Sequence, residues 1–511
     1  MRPFVCSPYR LASTFFPESF VGYNLLVALT VLGKGLVMFR LLDRLQPGRP
    51  GFAFLAVALF AFYPAGIFIY RANMVAYQTA VLCCVVAAYC LVLHDERPRA
   101  AALVGMLAAQ VLGLGIIETM LPIAFVTPIL LVWRRGGLSR HVARLAALWW
   151  TLPAALTAYV GYALLTKAGV VSYQSGRIAV PAGNHGDALR DSFVHVVMHH
   201  FWIGFRRSLG QLIGLDGDVS LAHAATAFAA ALIAGLVAWM LQRSSQSPRV
   251  EWSSRRWALI LLTAIAATWV GYSPYFMTDL RFGNYRTFFF STIGASIAVA
   301  SLLELLSGGA SAAFRIPRDG FLLVSGPAII GLAMMYALTD LAAWDRYSRD
   351  EQALAVKIAT RLPAVRSGTM IAVMETKDAR FEHKYYVWFY QNALRLIYGD
   401  PGVHVTLCYR NVHPKDVERP TCEFTPGGVS VRNTYGLAKA IWPYDQTIVL
   451  MLQAGGGVKV LRRIPGRPAW SAAYAPEALF DPMAPLPRRL FTYLKYAPAQ
   501  APRRYPRAGP G

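Results

Sequence analysis

Hydrophobic residues are grouped in long blocks over residues 22–340, and short segments rich in Arg, Pro and Gly separate these blocks. A helix needs about 20 apolar residues to cross a bilayer, because it rises about 1.5 Å per residue through a hydrocarbon core about 30 Å thick. Blocks of this length predict membrane spans at 22–43, 51–70, 74–93, 144–166, 222–241, 257–276, 286–306 and 320–341.

One apolar run, at 100–133, is longer than a single span and carries Glu118, Pro122 and Pro128. A carboxylate is costly inside hydrocarbon, and a proline removes a backbone hydrogen bond from a helix. We therefore predict two short segments that meet at Glu118. With these two segments, the sequence predicts an all-α polytopic bundle of about ten transmembrane helices.

From residue 344 onwards the sequence is typical of a water-soluble domain. Helical spacing at 350–362 is followed by short β-branched segments between Gly, Pro and Asp turns, which predicts an α/β domain. The predicted strands lie at 370–375, 403–409, 429–431 and 447–452. The predicted organisation is an exterior N-terminal segment at 1–21, a transmembrane helical domain at 22–343, an extracytoplasmic α/β domain at 344–485 and a basic, Pro-rich tail at 486–511.

The composition supports a membrane protein and gives the excess positive charge a role. Of the 511 residues, 56% are hydrophobic and 15% are charged, whereas soluble domains carry about 25% charged residues. The formal net charge of +23 would suggest nucleic-acid binding in a soluble protein. Here much of the charge lies in loops between spans, where Lys and Arg set the orientation in the membrane. We therefore predict no nucleic-acid partner.

Arginine is concentrated in alternate loops, and this asymmetry predicts the orientation. Lys and Arg are retained on the cytoplasmic side, so these loops are predicted to be cytoplasmic and both chain termini to be outside. The arginines of this set are Arg44, Arg49, Arg97, Arg99, Arg134, Arg135, Arg140, Arg144, Arg243, Arg249, Arg255, Arg256, Arg315 and Arg318. An exterior N-terminus without a preceding apolar segment is unusual. Either the first helix translocates it, or a first span and part of an exterior loop are missing, and we favour the second interpretation.

Two sets of ionisable residues lie at predicted exterior ends of spans. Glu118 has apolar neighbours and is a candidate catalytic carboxylate; a carboxylate that caps the following half-helix is the alternative. The second set is rich in arginine. Arg281 and Arg286 flank Tyr285, and guanidinium groups bind the oxygens of phosphate or pyrophosphate bidentately.

Two further residues belong to the second set. Arg71 lies on the same predicted side and is expected to join Arg281 and Arg286 at a donor phosphate, with Tyr285 between them. Asp279 is the second candidate catalytic carboxylate. The alternative is that these arginines are interfacial anchors whose charged ends reach the lipid head groups.

The loop 168–221 contains His195, His199 and His200, but it lacks the glutamate that an H-E-x-x-H zinc site places directly after its first histidine. We predict an amphipathic interfacial helix here, with phenylalanines towards the bilayer and with the histidines and arginines towards head groups. The triplet 216–218, Asp-Gly-Asp, resembles a cation-binding sugar-nucleotide motif but is also a common turn. We predict no definite cofactor; a divalent cation stays open, but the residues give it no support.

Cys408 and Cys422 are the two cysteines of the predicted exterior domain. Disulfides form in oxidising compartments outside the cytoplasm. The two thiols can therefore form a bridge if the predicted orientation holds, and two unpaired cysteines are the alternative.

Several short segments of the chain form a recognisable set. They are Arg2-Pro3, residues 20–26, Phe62-Tyr63-Pro64, the span that opens at Tyr77, Ile117-Glu118, residues 281–286 before a late span, and residues 344–399. Together they resemble the GT-C class of polytopic glycosyltransferases.

This resemblance implies an activity. A GT-C enzyme would take its sugar from a polyprenyl-phosphate donor bound from the exterior leaflet, with inverting transfer to an acceptor hydroxyl or amine. A carboxylate would accept or orient the acceptor proton while cations stabilise the departing phosphate. In this class the key carboxylates lie upstream of the Arg-Pro segment at which this sequence begins. The chain is therefore expected to be incomplete or inactive unless Glu18, Glu118 or Asp279 takes their place.

The predicted function is that of an integral glycosyltransferase-like protein of a bacterial inner membrane, which transfers a sugar to a cell-envelope glycan, lipid or protein on the extracytoplasmic side. Two alternatives remain open. A transporter or flippase of lipid-linked glycans would use the same exterior arginines without a catalytic carboxylate. A non-catalytic envelope assembly protein would use the spans only as an anchor.

Overall fold

The computed structural model describes residues 4, 6–15, 21–66, 74–166, 185–213, 220–244, 254–276, 288–314, 318–375, 387–408, 422–432, 439–453, 457–464 and 473–490. Contacts divide the chain into two compact units, residues 1–341 and residues 342–511. We call them the membrane unit and the C-terminal unit, and each is described by itself.

The described part of the membrane unit is helical. Its helices are α1 (Ser7–Phe15), α2 (Val21–Leu45), α3 (Pro50–Phe62), α4 (Val75–Glu96), α5 (Ala100–Ile116), α6 (Leu121–Val126), α7 (Ile129–Arg135), α8 (Arg140–Leu165), α9 (His185–Met198), α10 (Gly204–Leu212), α11 (Leu221–Ser244), α12 (Ser254–Tyr272), α13 (Ser291–Phe314) and α14 (Arg318–Arg361), the last of which continues into the C-terminal unit.

Six helices of the described residues are long and apolar enough to cross a membrane. They are α2, α4, α11, α12 with the turn that follows it, α13 over Ser291–Ser311, and α14 over Gly320–Ala343. The apolar helix α5 and the segment Pro50–Gly66, which contains α3, are shorter. By length and composition, the chain is therefore a mostly helical multi-pass membrane protein. The finer count of about ten spans stays a prediction.

The predicted break at Glu118 is confirmed. α5 ends at Ile116, and Glu118 begins a 3-10 turn that ends at Met120. α6 then starts with Pro122 in its first turn, where a proline is tolerated because the N–H group that it lacks has no intrahelical acceptor at that position. A second junction at Pro128 separates α6 from α7. The long apolar run is thus divided into short helices.

Described residues at the ends of several arginine-rich loops lie together at one end of the membrane unit, which we call the arginine end. Asp95, near the end of α4, is buried and forms hydrogen-bonded ion pairs with Arg134 and Arg135. One carboxylate oxygen of Asp95 also lies 2.9 Å from Nε2 of His141. Further contacts at this end are the ion pairs Arg44–Glu96 and Arg134–Glu96 and the hydrogen bond from Arg256 to the carbonyl of Trp133. Loops that the sequence assigns to one side are therefore in contact.

The C-terminal unit contains the predicted sheet. Its strands are β1 (Ala364–Val365), β2 (Met370–Met374), β3 (His404–Cys408), β4 (Cys422–Thr425), β5 (Gly428–Arg432), β6 (Lys439–Trp442), β7 (Thr447–Leu452), β8 (Val458–Val460) and β9 (Phe480–Asp481). The largest sheet has the order β3-β2-β7-β8, with β8 antiparallel to the other three strands. α15 (Val387–Tyr398) connects β2 to β3, which is the βαβ arrangement that parallel strands require.

A disulfide joins Cys408 of β3 to Cys422 of β4. The two Cα atoms are 5.0 Å apart, a usual separation for this bond. β4, β5 and β6 form a separate antiparallel sheet, so the bridge ties that small sheet to the edge of the larger one. The remaining pair, β1 with β9, is also antiparallel.

α12 and α13 pack with their backbones in contact at Gly294. A Cβ atom at this position would lie 2.5 Å from the carbonyl oxygen of Ala264 and 2.5 Å from the backbone nitrogen of Thr268. Backbone atoms cannot move aside as a flexible side chain can. Further along α13, a Cβ at Gly309 would have no atom within 4 Å. The two glycines therefore lie on the same helix, but only Gly294 lacks room for a Cβ atom.

We expect Gly294→Ala to separate α12 from α13 and to lower the thermal unfolding temperature of the purified protein. Overpacking of this kind costs about 1–3 kcal/mol. Gly309→Ala is the matched control, because it brings the same gain in helix propensity, about 1 kcal/mol, without a clash. Equal unfolding temperatures for the two variants would show that the contact at Gly294 does not constrain the bundle.

Candidate functional site

A polar and aromatic cluster lies at the opposite end of the membrane unit, which we call the histidine end. α3 runs from Arg49, near the arginine end, to Phe62 over about 20 Å. Close to its last residue, a π-helical turn, His199–Ile203, joins α9 to α10. The beginning of α13 meets this turn through Ser291. Three segments distant in sequence therefore converge here: the end of α3, the π turn with its two flanking helices, and the beginning of α13.

The π-helical turn places His200 inside the protein. A π turn adds a residue to an α-helix, and such turns are frequent at functional sites. Oγ of Ser291 donates to the carbonyl of Phe288 at 2.9 Å, so Nε2 of His200 must carry the proton in its 2.8 Å hydrogen bond to the same Oγ. The hydroxyl of Tyr63 donates to the carbonyl of His200 at 3.0 Å. The turn is thus held by both α3 and α13.

The other two histidines stack on the same aromatic surface. The ring centroids of His195 and His199 are 4.2 Å apart, and those of both histidines lie within 6 Å of the centroid of Phe288. Tyr272, at the end of α12, also stacks on Phe288 at 4.8 Å. The imidazoles therefore form a continuous face with buried aromatic rings.

His199, Arg207 and Tyr336 line a small cavity at this end. Nη1 of Arg207 lies 3.5 Å from the hydroxyl of Tyr336, which belongs to α14. The remaining wall consists of Pro64, Ala65, Ile203, Gly204 and Phe288. A guanidinium, an imidazole and a phenol thus surround a small space with apolar walls, which is a donor set suited to the oxygens of an anion.

Burial keeps two of the imidazoles uncharged. Desolvation lowers the pKa of His199 to about 4, and the nearby charges of His195 and Arg207 act in the same direction. Desolvation lowers the pKa of His200 to about 3, assisted by His199 and His195. At neutral pH both rings are neutral, so each presents one donor nitrogen and one acceptor nitrogen. Arg207 supplies positive charge to the cavity.

Of the residues predicted to be catalytic or to bind the donor phosphate, only Glu118 lies within the described residues. Glu118 is half-buried on its 3-10 turn. It lies at the histidine end, and a series of contacts shows this. The backbone N–H of Phe4 donates to the carbonyl of Gly115, which lies close to Glu118 in the chain. The helix that follows Phe4, α1, packs on α4 near Tyr77, and the ring of Tyr77 stacks on Phe289 at the histidine end. Arg71, Asp279, Arg281, Tyr285 and Arg286, together with the triplet 216–218, lie outside the described residues.

The orientation predicted for the histidines is wrong for His200. The sequence predicts that the histidines of this helix point towards head groups, but His200 is fully buried against Tyr63 and Phe288. Phe193, predicted to face the bilayer, is exposed and also contacts Trp269. His200 lies within the π turn, where the spacing of an α-helix no longer predicts which side chains face inwards.

A buried lysine was also missed by the sequence analysis. Lys34 lies near the middle of α2, where its Nζ donates to Oε1 of Gln78 at 2.8 Å and lies 4.6 Å from the centre of the Phe60 ring. Its side chain is fully buried. The sequence contains a signal for this residue, because a lysine within a predicted membrane span is energetically costly and is therefore a functional candidate.

The described residues contain no group of three or more His, Cys, Asp or Glu side chains that could hold a metal ion. No protein-family model, curated protein or solved structure matches this chain. The geometry of the chain itself is therefore the basis on which a function is assigned.

The neutral histidines make stability depend on pH. Between about pH 6.5, the ordinary pKa of histidine, and the lowered pKa of about 4 for His199, the unfolded chain binds a proton that the folded chain does not. Stability is therefore complete above this window and is lost as the pH falls through it. His199→Asn removes one titrating group, and we expect a smaller fall in unfolding temperature between about pH 7.5 and about pH 5 than in the unsubstituted protein.

Phe205→Leu is the control for general loss of packing. Phe205 contacts the ring of Tyr63 at 5.9 Å and carries no titratable group. This variant should unfold at a lower temperature and retain the original pH dependence. If His199→Asn also retains the original pH dependence, the ring of His199 is not the neutral group described above.

Proposed function

We propose that this protein is a GT-C-like membrane glycosyltransferase, which transfers a sugar from a polyprenyl-phosphate donor to a cell-envelope glycan, lipid or protein acceptor. The observation that carries this proposal is the cavity at the histidine end, where Arg207, His199 and Tyr336 meet at one end of an apolar helical bundle. A phosphate with an apolar tail needs both polar groups that bind its oxygens and an apolar surface that contacts its tail. The resemblance of the sequence to this class is consistent with them.

The donor phosphate is assigned to Arg207. Its guanidinium can bind two phosphate oxygens in parallel and stabilise the charge that grows on the leaving group. Tyr336 positions this guanidinium through its hydroxyl. His199 is neutral, so its ring can accept a hydrogen bond from a sugar hydroxyl without repelling a cation.

The transfer is proposed to proceed by inversion. An acceptor oxygen attacks the anomeric carbon, the bond from that carbon to the phosphate oxygen breaks, and polyprenyl phosphate leaves with the bonding electrons. The acceptor proton passes to a carboxylate. Glu118 is the first candidate because it lies at the histidine end, and Asp279 is the second.

The predicted arginines are proposed to extend the same phosphate site. Residues 67–73 follow Gly66, next to the cavity residues Pro64 and Ala65, and residues 277–287 lead directly to Phe288. The chain therefore connects Arg71, Arg281, Tyr285 and Arg286 to residues that wall the cavity. This connectivity is the support for their assignment.

The proposal includes an orientation and a location. The contacts among the arginine-rich loops support their placement on one side of the membrane, and Lys and Arg favour the cytoplasmic side. The histidine end and the C-terminal unit would then face outwards, in a bundle of about ten spans within a bacterial inner membrane. The Cys408–Cys422 disulfide is in keeping with an oxidising exterior.

Arg207→Ala should lower transfer from a radiolabelled polyprenyl-phosphate sugar by about 10²- to 10³-fold, because it removes charge from the leaving phosphate. Transfer is measured in proteoliposomes as labelled acceptor and as released polyprenyl phosphate. Arg206→Ala is the matched control on the same helix, since Arg206 and Arg207 are both exposed but only Arg207 is among the residues that line the cavity. The proposal fails if the two variants transfer sugar equally well.

The predicted phosphate arginines are tested in the same assay. Arg281→Ala combined with Arg286→Ala should abolish incorporation of the labelled sugar while expression is unchanged. Movement of the labelled lipid across the bilayer without release of polyprenyl phosphate would identify a flippase instead and would overturn the proposed transfer.

A further inference from the structure

The first turns of α8, at the arginine end, place two cations on one exposed face of the helix. Arg140 and Arg144 are four residues apart, so their side chains lie on the same face. Both side chains are exposed, and neither forms an ion pair or a hydrogen bond with a described residue. Guanidinium N–H groups bind phosphate oxygens in pairs, so two neighbouring guanidinium groups are suited to one phosphate.

The charges around this face are strongly unbalanced. Residues 94–99 and 134–144 together contain six arginines and two carboxylates. Arg97 and Arg99, before the start of α5, are exposed and also lack an ion pair with a described residue. Both carboxylates are bound to other arginines, in the ion pairs Asp95–Arg134, Asp95–Arg135, Arg44–Glu96 and Arg134–Glu96. A ligand with a net negative charge is therefore attracted to this surface, whereas the cation of a zwitterion meets no unpaired carboxylate in these two segments.

Asp95 holds the exposed arginines next to each other. Nε2 of His141, the residue after Arg140, lies 2.9 Å from a carboxylate oxygen of Asp95. Arg97 follows Asp95 by two residues in the chain. The ion pairs of Asp95 with the end of α7 fix the same point from a third side. The start of α8 and the loop before α5 therefore form one basic surface.

The exposed face of α8 becomes apolar directly after the arginines. Ala147, Trp150 and Ala154 are exposed and continue this face at spacings of three or four residues. On its other side α8 packs on α4, one of the six helices of membrane-spanning length, in a buried cluster that includes Leu91 and Trp149. The exposed face is therefore turned away from the bundle, where lipid tails are its neighbours in a bilayer.

Leu138, in the loop that precedes α8, adds an apolar contact next to the arginines. Its side chain is 84% exposed. Surfaces that combine cations with large exposed apolar side chains are typical of membrane interfaces. A soluble anion would contact the arginines alone, whereas a lipid would also cover Leu138 and the apolar face of α8.

We propose that the start of α8 binds an anionic diacyl phospholipid of the phosphatidylglycerol type. Its phosphate oxygens accept hydrogen bonds from Arg140 and Arg144, and the charges of Arg97 and Arg99 strengthen the attraction. One acyl chain lies along the exposed apolar face of α8. This site lies at the opposite end of the membrane unit from the proposed donor phosphate site, and no sugar donor is needed to occupy it.

The test is lipid retention by the purified full-length chain, measured by native mass spectrometry with phosphatidylglycerol and phosphatidylcholine of identical acyl chains. Both lipids carry a phosphate, but only phosphatidylglycerol has a net negative charge. We expect one retained phosphatidylglycerol, bound about tenfold more tightly than phosphatidylcholine. Arg140→Gln combined with Arg144→Gln should remove this preference. Glutamine has a similar helix propensity, and no contact between described residues is lost, so the unfolding temperature should stay unchanged.

Arg190→Gln combined with Arg206→Gln is the matched control, because it removes the same charge from two exposed positions of α9 and α10 at the histidine end. This variant should retain phosphatidylglycerol as the unsubstituted protein does. Equal retention by the two double variants would show that the lipid responds only to net charge, and would overturn the proposal. Equal binding of the two lipids by the unsubstituted protein would also overturn it.

Inorganic phosphate is the probe for a soluble anion at the same arginines. It has no apolar part, so at an ionic strength matched with chloride it should displace no more phosphatidylglycerol than chloride does. Selective displacement by phosphate would identify a site for a soluble anion and would contradict the assignment to a lipid.

Discussion

The membrane unit depends on one constraint, which is that a charge within an apolar bundle must be paired or must lie at an end. Asp95 satisfies it at the arginine end, where guanidinium groups from α7 surround a buried carboxylate. Removal of one member of such a group leaves a buried charge without compensation, and this is strongly unfavourable. The constraint leaves the middle of the bundle apolar, so the few polar groups that remain inside it stand out. Lys34, with its amide and aromatic neighbours, is one of them.

Much of the fold could be predicted from local pattern, because a helix that crosses a bilayer requires a long continuous segment of apolar residues, and such a segment is visible in the hydropathy of the sequence. The break at Glu118 was predictable from a carboxylate and two prolines in one apolar run. The strands of the C-terminal unit were predictable for the same kind of reason, since β-branched segments such as 447–452 are bounded by turns. The helix that contains residues 350–362 is longer than predicted because α14 continues through the change in composition.

The candidate site could be predicted only in part. Histidines and arginines in the loop 168–221 were visible, but the inward position of His200 depends on Ser291 and Tyr63, which lie about 90 and about 140 residues away in the chain. No local pattern encodes contacts at such separations. The same holds for Arg49 and Glu304, whose pairing requires that α3 and α13 be neighbours. Sequence patterns indicate which residues have side chains suited to a functional site, and tertiary packing determines which of these residues come into contact.

The π turn at His199–Ile203 also limits the changes in length that this part of the chain can accept. Such a turn is equivalent to an α-helix into which one amino acid has been inserted. Deletion of that residue would let α9 and α10 continue as one regular helix and would shift the residues after the turn relative to those before it. Arg207 would then change its position relative to Tyr336. The number of residues between His199 and Arg207 is therefore itself a structural constraint on the cavity.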